Sequence, residues 1–269
     1  MNQPPPRPSF ALTLGVTGHR PRRDPKPGED HATQGAQLRQ DKVRQGIDYF
    51  LELLESAVAD LRGAGNQWSD SAPMVIAMVS SLAEGSDRIA AKAALARRMP
   101  LDVVLPCPRE SYERTFGDDA SRAEFSALVD RARACQILPL TAEARLPSKE
   151  DLARAYELAG LTLLAQADIL LAVWDGETAR GRGGTGDIVD QAARQGTPIV
   201  VIDPIDGTAR LLWGGGGSSA PPAMRARELP VAEVGKSILV DVVRGVILAH
   251  GADRARTGAE LERRLSPSR

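Results

Sequence analysis

Histidine and cysteine, the usual ligands of transition metals, are scarce in this chain. Its 269 residues include three histidines and two cysteines, and no group of them has the spacing of a zinc site. Cys107 and Cys135 stand at the end and the start of apolar runs, which favours buried free thiols over a disulfide. We therefore expect neither a metal site nor a cofactor, although a phosphate ligand can carry Mg²⁺ with it.

An excess of charge and a long apolar run are also absent. Lys and Arg together number 34 and Asp and Glu 35, so no net field attracts nucleic acid or an anionic membrane. The longest apolar stretch, 238–249, is interrupted by Asp241 and Arg244, whereas a membrane helix needs roughly 20 apolar residues. The Pro-rich segment 1–10 lacks the apolar region of a signal peptide. These absences predict a cytoplasmic protein with no nucleic-acid partner and no membrane partner.

The motifs of several enzyme classes are missing as well. The chain has no G-x-x-x-x-G-K-[ST] phosphate loop, no G-x-G-x-x-G dinucleotide fingerprint and no G-x-S-x-G nucleophile elbow. No cysteine and histidine form an obvious catalytic pair. Function must therefore be inferred from the loops of the fold rather than from a single motif.

The chain alternates apolar runs with amphipathic or Ala-rich segments. Near-continuous apolar strands between helices predict a parallel sheet that is covered on both faces. We expect a doubly wound, mainly parallel, Rossmann-like α/β domain over residues 11–204. The predicted strands are 11–18, 74–80, 101–107, 135–140, 168–175 and 198–204. The predicted helices are 37–61, 84–98, 148–167 and 185–195, with shorter helical pieces over 109–116 and 121–133.

The two ends of the chain differ from this domain in composition. Residues 1–10 predict a disordered tail, and the Gly/Ser/Pro-rich residues 205–230 predict a flexible linker. Residues 231–269 begin with apolar positions at helical spacing and predict a short helical C-terminal appendage, although its β-branched residues leave a strand open. We expect the protein to form a homo-oligomer. The appendage either packs on the domain or contributes to the contact between subunits.

The loops that follow the strands are the candidate site, because ligands of an open parallel sheet bind outside the carboxyl ends of its strands. Glycine lets backbone N–H groups approach an anion, and the N-terminus of the next helix adds unpaired donors and a positive dipole end. The candidate ligand-binding residues are Gly18, His19, Arg20, Ser80, Ser81, Glu84, Gly85, Asp87, Arg182, Gly183, Gly184, Thr185 and Asp187.

Each of these loops also has a plain structural interpretation. The glycine cluster "GRGGTGD" fits a simple turn between a strand and a helix as well as it fits a phosphate cradle. Ser81 with Glu84 three residues later fits the capping box of a helix start. Tyr112 or Trp174 is a candidate to stack on a base, and Trp174 also fits a core position.

Four segments in a fixed order resemble the SLOG superfamily: "GVTGHR", "SSLAEGSDRIAA", "LPCPRESYERTF" and "AVWDGETARGRGGTGDIV". That superfamily includes the LOG-type nucleoside-monophosphate phosphoribohydrolases and the DprA-like and YpsA-like proteins. The chain looks most like the bacterial SLOG domains of antiphage systems. The resemblance covers residues 11–204 and implies a Rossmann-like fold with a nucleotide-derived ligand over the glycine loop.

The glycine loop of LOG enzymes reads G-G-x-G-T-x-x-E, and its glutamate assists N-glycosidic cleavage. Gly183, Gly184 and Gly186 match that loop, whereas Asp187 replaces its Thr and Asp190 replaces its Glu. The resemblance with this departure favours a domain that senses a cyclic nucleotide or an ADP-ribose-type signal for an effector protein. The alternatives are a nucleoside 5′-monophosphate phosphoribohydrolase with Glu84 or Asp190 as catalytic acid/base, and a domain whose loop binds a protein.

Overall fold

The computed structural model describes residues 11–19, 30–63, 74–139, 148–178, 182–213, 226 and 231–247. The strands are β1 (Ala11–Gly18), β2 (Val75–Ser80), β3 (Leu101–Leu105), β4 (Ala134–Ile137), β5 (Ile169–Val173), β6 (Ile199–Ile202), β7 (Ala209–Leu212) and β8 (Val231–Glu233). The helices are α1 (Asp30–Gly63), α2 (Ser86–Ala96), α3 (Arg109–Glu113), α4 (Asp119–Asp130), α5 (Lys149–Gln166), α6 (Thr185–Gln195) and α7 (236–247).

The strands form one sheet in the order β4-β3-β2-β1-β5-β6-β7-β8. Pairing is parallel from β4 through β6 and antiparallel from β6 through β8. The chain builds outward from β1 in one direction with β2 to β4 and in the other with β5 to β8, so the switch point lies between β1 and β5. This confirms the predicted doubly wound, mainly parallel, Rossmann-like fold.

Both faces of the central strands are buried. Ile169, Leu171 and Val173 of β5 belong to a hydrophobic cluster that includes α1 and α2, whereas Leu170 and Ala172 belong to a second cluster with α5 and α6. Successive side chains of a strand point to opposite faces of a sheet, so a continuous apolar run requires cover on both sides. The molecule therefore has three layers, helix over sheet over helix.

The helix boundaries follow local sequence signals to different degrees. The start of α5 follows such a signal: Ser148 is the N-cap and forms a capping box with Asp151. The predicted span of α6 agrees with the structure, in which Gly196 ends the helix in the left-handed conformation. The capping box predicted at Ser81 and Glu84 is wrong, because α2 begins at Ser86 and its N-cap, Gly85, offers no side chain.

The sheet continues beyond the predicted last strand, 198–204. β7 and β8 add two short antiparallel strands within or next to the segment whose composition predicts a linker. Short strands flanked by glycine carry little periodic signal, and their pairing partners are what define them. The predicted C-terminal helix is present as α7, and Leu239, Val242 and Val243 bury its apolar face in the core.

β4 is an edge strand, and all four of its residues are exposed. The expectation that both cysteines are buried is wrong for this reason: Cys107 is buried, but Cys135 on β4 is exposed. Both thiols are free, in agreement with the prediction. No helix in the described ranges combines the length and the apolar character that crossing a membrane requires.

Candidate functional site

A cavity of about 360 Å³ lies at the carboxyl end of β1, beside the switch point of the sheet. Its walls come from β1, the loop between β2 and α2, α3, α5 and the start of α6. Eight candidate residues from three separate loops line it: Gly18, His19, Ser81, Asp87, Arg182, Gly183, Gly184 and Thr185. The fold therefore brings the ends of these loops to one place, as the strand order requires.

His19 enters the cavity from the end of β1 and is paired with Asp175, which follows β5. His19 Nε2 lies 3.1 Å from Asp175 Oδ1, and the same carboxylate oxygen accepts the backbone N–H of Glu177 at 3.0 Å. Gly18, the last residue of β1, lets the start of α2 pack closely on the strand, because a Cβ at its position would lie 2.5 Å from the Cβ of Ser86. An imidazole on the cavity is thus oriented by a carboxylate across the switch point. Arg20 lies outside the described residues.

The loop before α6 presents backbone donors to the cavity. Gly184 is the N-cap of α6 and supplies no side-chain cap, and the first amides of any helix lack intrahelical acceptors. The amides of Thr185 and Gly186 have no hydrogen-bond acceptor among the described residues. The side chain of Thr185 lines the cavity with the residue only 7 % exposed, and it too has no hydrogen-bond partner in the described ranges.

Two carboxylates occupy the remaining donors of this loop. The N–H of Gly183 donates to Asp187 Oδ2 at 3.0 Å, and Arg182 Nε donates to Glu157 Oε2 of α5 at 2.6 Å. Gly183 has a φ of +73°, and a Cβ there would collide with the backbone of Glu157. The glycine is therefore required both by its conformation and by its contact with α5.

The loop between β2 and α2 is mostly engaged in structure. The Ser80 hydroxyl, fully buried, accepts the N–H of Leu82 at 3.0 Å. Glu84 Oε1 accepts the N–H of Gly117 at 2.9 Å and the hydroxyl of Ser121 at 2.6 Å, which fixes the loop to the start of α4. Gly85 is the N-cap of α2 and does not line the cavity.

Ser81 and Asp87 are the parts of that loop and helix that reach the cavity. Asp87 is 5 % exposed, and its Oδ2 accepts the N–H of Ala83 at 3.3 Å. A buried carboxylate of this kind is a suitable acceptor for ribose hydroxyls. Ser81 adds a half-buried hydroxyl next to it.

Arg88, one residue beyond Asp87, is a buried anchor that sequence analysis did not identify. It is 2 % exposed, donates to the Leu82 carbonyl at 3.0 Å and pairs with Glu124 of α4 at 3.2 Å. Its guanidinium lies over the Phe116 ring at 4.3 Å. Burial raises the pKa of Glu124, but hydrogen bonds from Lys92 and Arg88 outweigh it, and the net pKa is lowered.

The two candidate catalytic carboxylates do not line the cavity. Asp190 Oδ1 accepts the N–H of Ala226 at 3.0 Å, and Glu84 faces α4 as described above. Residues of a helix turn by about 100° each, so Asp190 lies roughly 200° from the cavity-facing Ile188. For Asp190 the difference from the sequence-based assignment is thus one of helix face, whereas Glu84 lies in the turn before α2.

Several cavity residues were missed by the sequence because they lie on α5 rather than in a loop. Tyr156, Ala159, Gly160 and Leu163 form a mainly apolar wall opposite α6. The sequence signal that could have indicated these residues is the position of α5 directly before β5, the strand next to the switch point. Tyr112 lines the cavity, whereas Trp174 does not: its indole N–H donates to the Glu177 carbonyl at 2.8 Å and the residue is 6 % exposed.

The fold and the cavity define a Rossmann-like α/β domain with a ligand-sized crevice at its switch point. Within the described ranges, no group of three or more His, Cys, Asp or Glu side chains is arranged to hold a metal ion. Donors that line the crevice include the Thr185 and Ser81 hydroxyls, the His19 ring and the Arg182 guanidinium. Such a donor set suits an oxygen-rich, anionic or hydroxylated ligand.

Comparison with known proteins finds likeness only at the level of structure. No protein-family model matches the chain, and no curated protein matches it. The structure is similar to DNA processing protein A (DprA) from Streptococcus pneumoniae, with a TM-score of 0.40 and 17 % identity over 72 % of this chain and 50 % of that one. It is also similar to DprA from Helicobacter pylori, with a TM-score of 0.33 and 16 % identity over 71 % of this chain and 65 % of that one.

These likenesses span only about half to two thirds of each DprA chain. They also correct one expectation. The structure of the H. pylori protein is described as showing a unique single-stranded DNA binding mode. The exclusion of nucleic acid as a partner, which was predicted from the balanced net charge, is therefore wrong.

Proposed function

We propose that the cavity binds a nucleotide-derived small molecule, with a phosphate at the N-terminus of α6. The observation that carries this proposal is the set of free donors: the amides of Thr185 and Gly186 and the nearly buried Thr185 hydroxyl have no acceptor among the described residues. Helix N-termini with such donors bind phosphate oxygens. Buried donors without an acceptor are unfavourable unless a ligand or water satisfies them.

The rest of the cavity fits the other parts of a nucleotide. Asp87 and Ser81 are positioned as acceptors and donors for ribose hydroxyls, and Tyr112 and Tyr156 with the apolar wall of α5 provide surface for a base. The volume of about 360 Å³ is within the range of small-molecule sites. The ligand class includes cyclic nucleotides and ADP-ribose-type signals.

Removal of the Thr185 hydroxyl tests the phosphate assignment. Thr185→Val keeps the shape of the side chain, and we expect it to weaken nucleotide binding by roughly tenfold, the effect of one lost hydrogen bond to a charged group. Thr197→Val makes the same change just beyond the other end of α6 and should leave affinity unchanged. Calorimetric titration with a panel of mononucleotides, cyclic nucleotides, ADP-ribose and a single-stranded oligonucleotide measures both.

The outcome of that titration separates the candidates. Equal weakening by both variants, or binding of no member of the panel, would show that the cavity is not a nucleotide site. The oligonucleotide is included because DNA binding, described for the H. pylori protein, can then be measured directly in this chain.

A role in antiphage signalling, in the cytoplasm and through an effector protein, is the finer part of the proposal. It is supported by the resemblance of the four loop segments to bacterial SLOG domains. Cells that carry the chain with its neighbouring genes should lose protection against phage when Thr185→Val replaces the native residue. Protection that is unaffected by this variant contradicts the signalling role.

A second candidate function, N-glycosidic hydrolysis, is favoured by the pairing of His19 with Asp175. An imidazole held by a carboxylate can act as a general base. In this reaction His19 would take a proton from water, the water oxygen would bond to C1′ of the sugar, and the base would leave with the electrons of the broken C1′–N bond.

This hydrolase hypothesis makes a prediction that differs from the one based on sequence. Release of free base from AMP, followed by chromatography, should be abolished by His19→Gln and reduced by Asp175→Asn. Glu84→Gln and Asp190→Asn should have no effect, because neither side chain lines the cavity. Absence of base release from any nucleoside monophosphate excludes the hydrolase and leaves the binding function untouched.

A further inference from the structure

Asp87 places a nearly buried carboxylate in the wall of the cavity. The residue is 5 % exposed and lies in the first turn of α2, where the positive end of the helix dipole stabilises a negative charge. Its Oδ2 accepts the N–H of Ala83 at 3.3 Å, which fixes the carboxylate at the cavity. A carboxylate has about four acceptor positions, so Asp87 can accept a hydrogen bond from a ligand while it holds Ala83.

Asp87 and the donors at the start of α6 reach the cavity from opposite faces of the sheet. Ile89 of α2 belongs to the hydrophobic cluster on one face, whereas Leu163 of α5 and Ile188 of α6 belong to the cluster on the other. Asp87 therefore enters from the layer of α2, and Thr185 from the layer of α5 and α6. Because a carboxylate repels a phosphate, a phosphate at Thr185 leaves the uncharged part of the ligand for Asp87.

The groups of a nucleotide that suit Asp87 are the ribose hydroxyls. They lie between phosphate and base, they are uncharged, and each can donate to a carboxylate oxygen. Ser81, which precedes α2 and also lines the cavity, adds a hydroxyl that can donate and accept. The base requires an apolar surface, and Ala159 and Leu163 of α5 supply one from the other face of the sheet.

From this arrangement we infer that Asp87 selects ribonucleotides over deoxyribonucleotides by accepting a hydrogen bond from a free 2′- or 3′-hydroxyl. The inference rests on the proposed nucleotide-binding function and narrows its ligand class. An analogue without the hydroxyl presents a C–H group to the carboxylate, which loses this donor in a site closed to most solvent. The loss of one hydrogen bond to a charged group corresponds to roughly tenfold to hundredfold in affinity.

Matched nucleotides test the inference on the full chain. Calorimetric titration compares the 5′-monophosphate of each common ribonucleoside with its 2′-deoxy and 3′-deoxy analogues, and 3′,5′-cyclic AMP with its 2′-deoxy analogue. The wild type should bind the ribonucleotide roughly ten to a hundred times more tightly than at least one deoxy analogue, and the affected analogue identifies the hydroxyl. Asp87→Ala should remove this preference. Asp87→Asn keeps an acceptor for the Ala83 N–H but replaces the charged acceptor with a neutral amide, so its preference should be intermediate.

Asp168→Asn is the matched control, because Asp168 also accepts a backbone N–H, that of Thr13 at 2.7 Å, but does not line the cavity. It should leave the ratio of the two affinities unchanged.

Three results overturn the inference and leave the proposed function in place. The first is a wild type that binds every deoxy analogue as tightly as the ribonucleotide. The second is a ratio that neither Asp87 variant changes, even if all affinities fall or the preferred base changes, since Asp87 then braces the loop or contacts the base. The third is an equal change of the ratio in Asp168→Asn. Failure of every nucleotide to bind overturns the proposed function together with the inference.

Discussion

The β2–α2 loop and the β5–α6 loop have similar compositions but are held in opposite ways. Both join a buried strand to a helix and both combine glycine, hydroxyl and acidic residues. In the β2–α2 loop, Ser80 and Glu84 direct their polar atoms to the protein itself. At the end of the β5–α6 loop, Thr185 lines a cavity, and its amide and hydroxyl have no acceptor among the described residues.

The difference shows that the composition of a loop does not reveal where its hydrogen bonds go. α4 and the residues just before it lie next to the β2–α2 loop and supply donors for Glu84, the Ser121 hydroxyl and the Gly117 N–H. The β5–α6 loop faces α5, whose wall at the cavity is mainly apolar, and no described residue accepts from the amide or the hydroxyl of Thr185, which leaves both available to a ligand or water. Of the two, the β5–α6 loop is the binding element in our interpretation and the β2–α2 loop is the support.

Among the substitutions that test this comparison, Gly183→Ala should have the largest effect on stability. The substitution places a Cβ against the α5 backbone at a φ of +73°, and strain and overpacking together should lower the free energy of unfolding by about 2 to 4 kcal/mol. Gly176→Ala is the control, because Gly176 has a similar φ of +79° but open space around it. Urea unfolding of both variants gives the difference. If Gly183→Ala is no more destabilising than the control, the contact with α5 does not hold the loop.

A smaller effect is expected from Glu84→Ala in the supporting loop. The change removes the acceptor of the Gly117 N–H and the Ser121 hydroxyl, and it should lower the free energy of unfolding by about 1 to 2 kcal/mol. Nucleotide affinity should not change, in contrast to Thr185→Val. Glu52→Ala, on the exposed side of α1, controls for the general effect of losing a glutamate. A loss of affinity without a loss of stability in Glu84→Ala would reverse the roles assigned to the two loops.

The smallest expected effect is on the pH dependence of stability, through the ion pair that joins α2 to α4 beside the β2–α2 loop. Hydrogen bonds from Lys92 and Arg88 outweigh the opposing effect of burial and lower the pKa of Glu124. The pKa of a glutamate in the unfolded chain is about 4.3, and the pKa of Glu124 in the folded protein is lower. The ionised Glu124 therefore stabilises the fold at pH values above about 4.3, and this stabilisation is lost as the pH falls through the folded-state pKa. Because the side chain is 38 % exposed, the contribution should stay below about 1 kcal/mol.

Chemical unfolding of the wild type and of Glu124→Gln at about pH 6 and about pH 3.5 measures the contribution of the ionised Glu124 to stability. The wild type should lose more stability on acidification than the variant does. Identical pH dependence in the two proteins would indicate that the Arg88–Glu124 pair does not couple α2 to α4.

Much of the fold was predictable from local patterns. The six parallel strands are apolar runs long enough to be recognised alone, and α5 and α6 carry their own start or stop signals at Ser148 and Gly196. β7 and β8 were not predicted because four- and three-residue strands are defined by their pairing partners rather than by periodicity.

The candidate site was predictable as a set of loops but not as a set of contacts. The rule that ligands bind at the carboxyl ends of parallel strands identified His19, Ser81 and the 182–185 segment, which line the same cavity. It did not identify Tyr156 and Asp175, which reach the site from α5 and from beyond β5. It also could not show that Asp190 faces away, because correct bounds for α6 do not reveal which face of the helix turns toward the cavity; the packing of Ile188 and Val189 in the core decides that.

The amino-acid sequence by itself determined the alternation of strands and helices, and with it the edge of the sheet at which the glycine, hydroxyl and acidic residues collect. The tertiary structure alone decided which of those polar groups are satisfied within the protein and which remain available to a ligand. The physical reason is that periodicity and helix capping act over a few neighbouring residues, whereas the partners of Glu84, Arg182 and His19 lie 25 to 156 positions away along the chain.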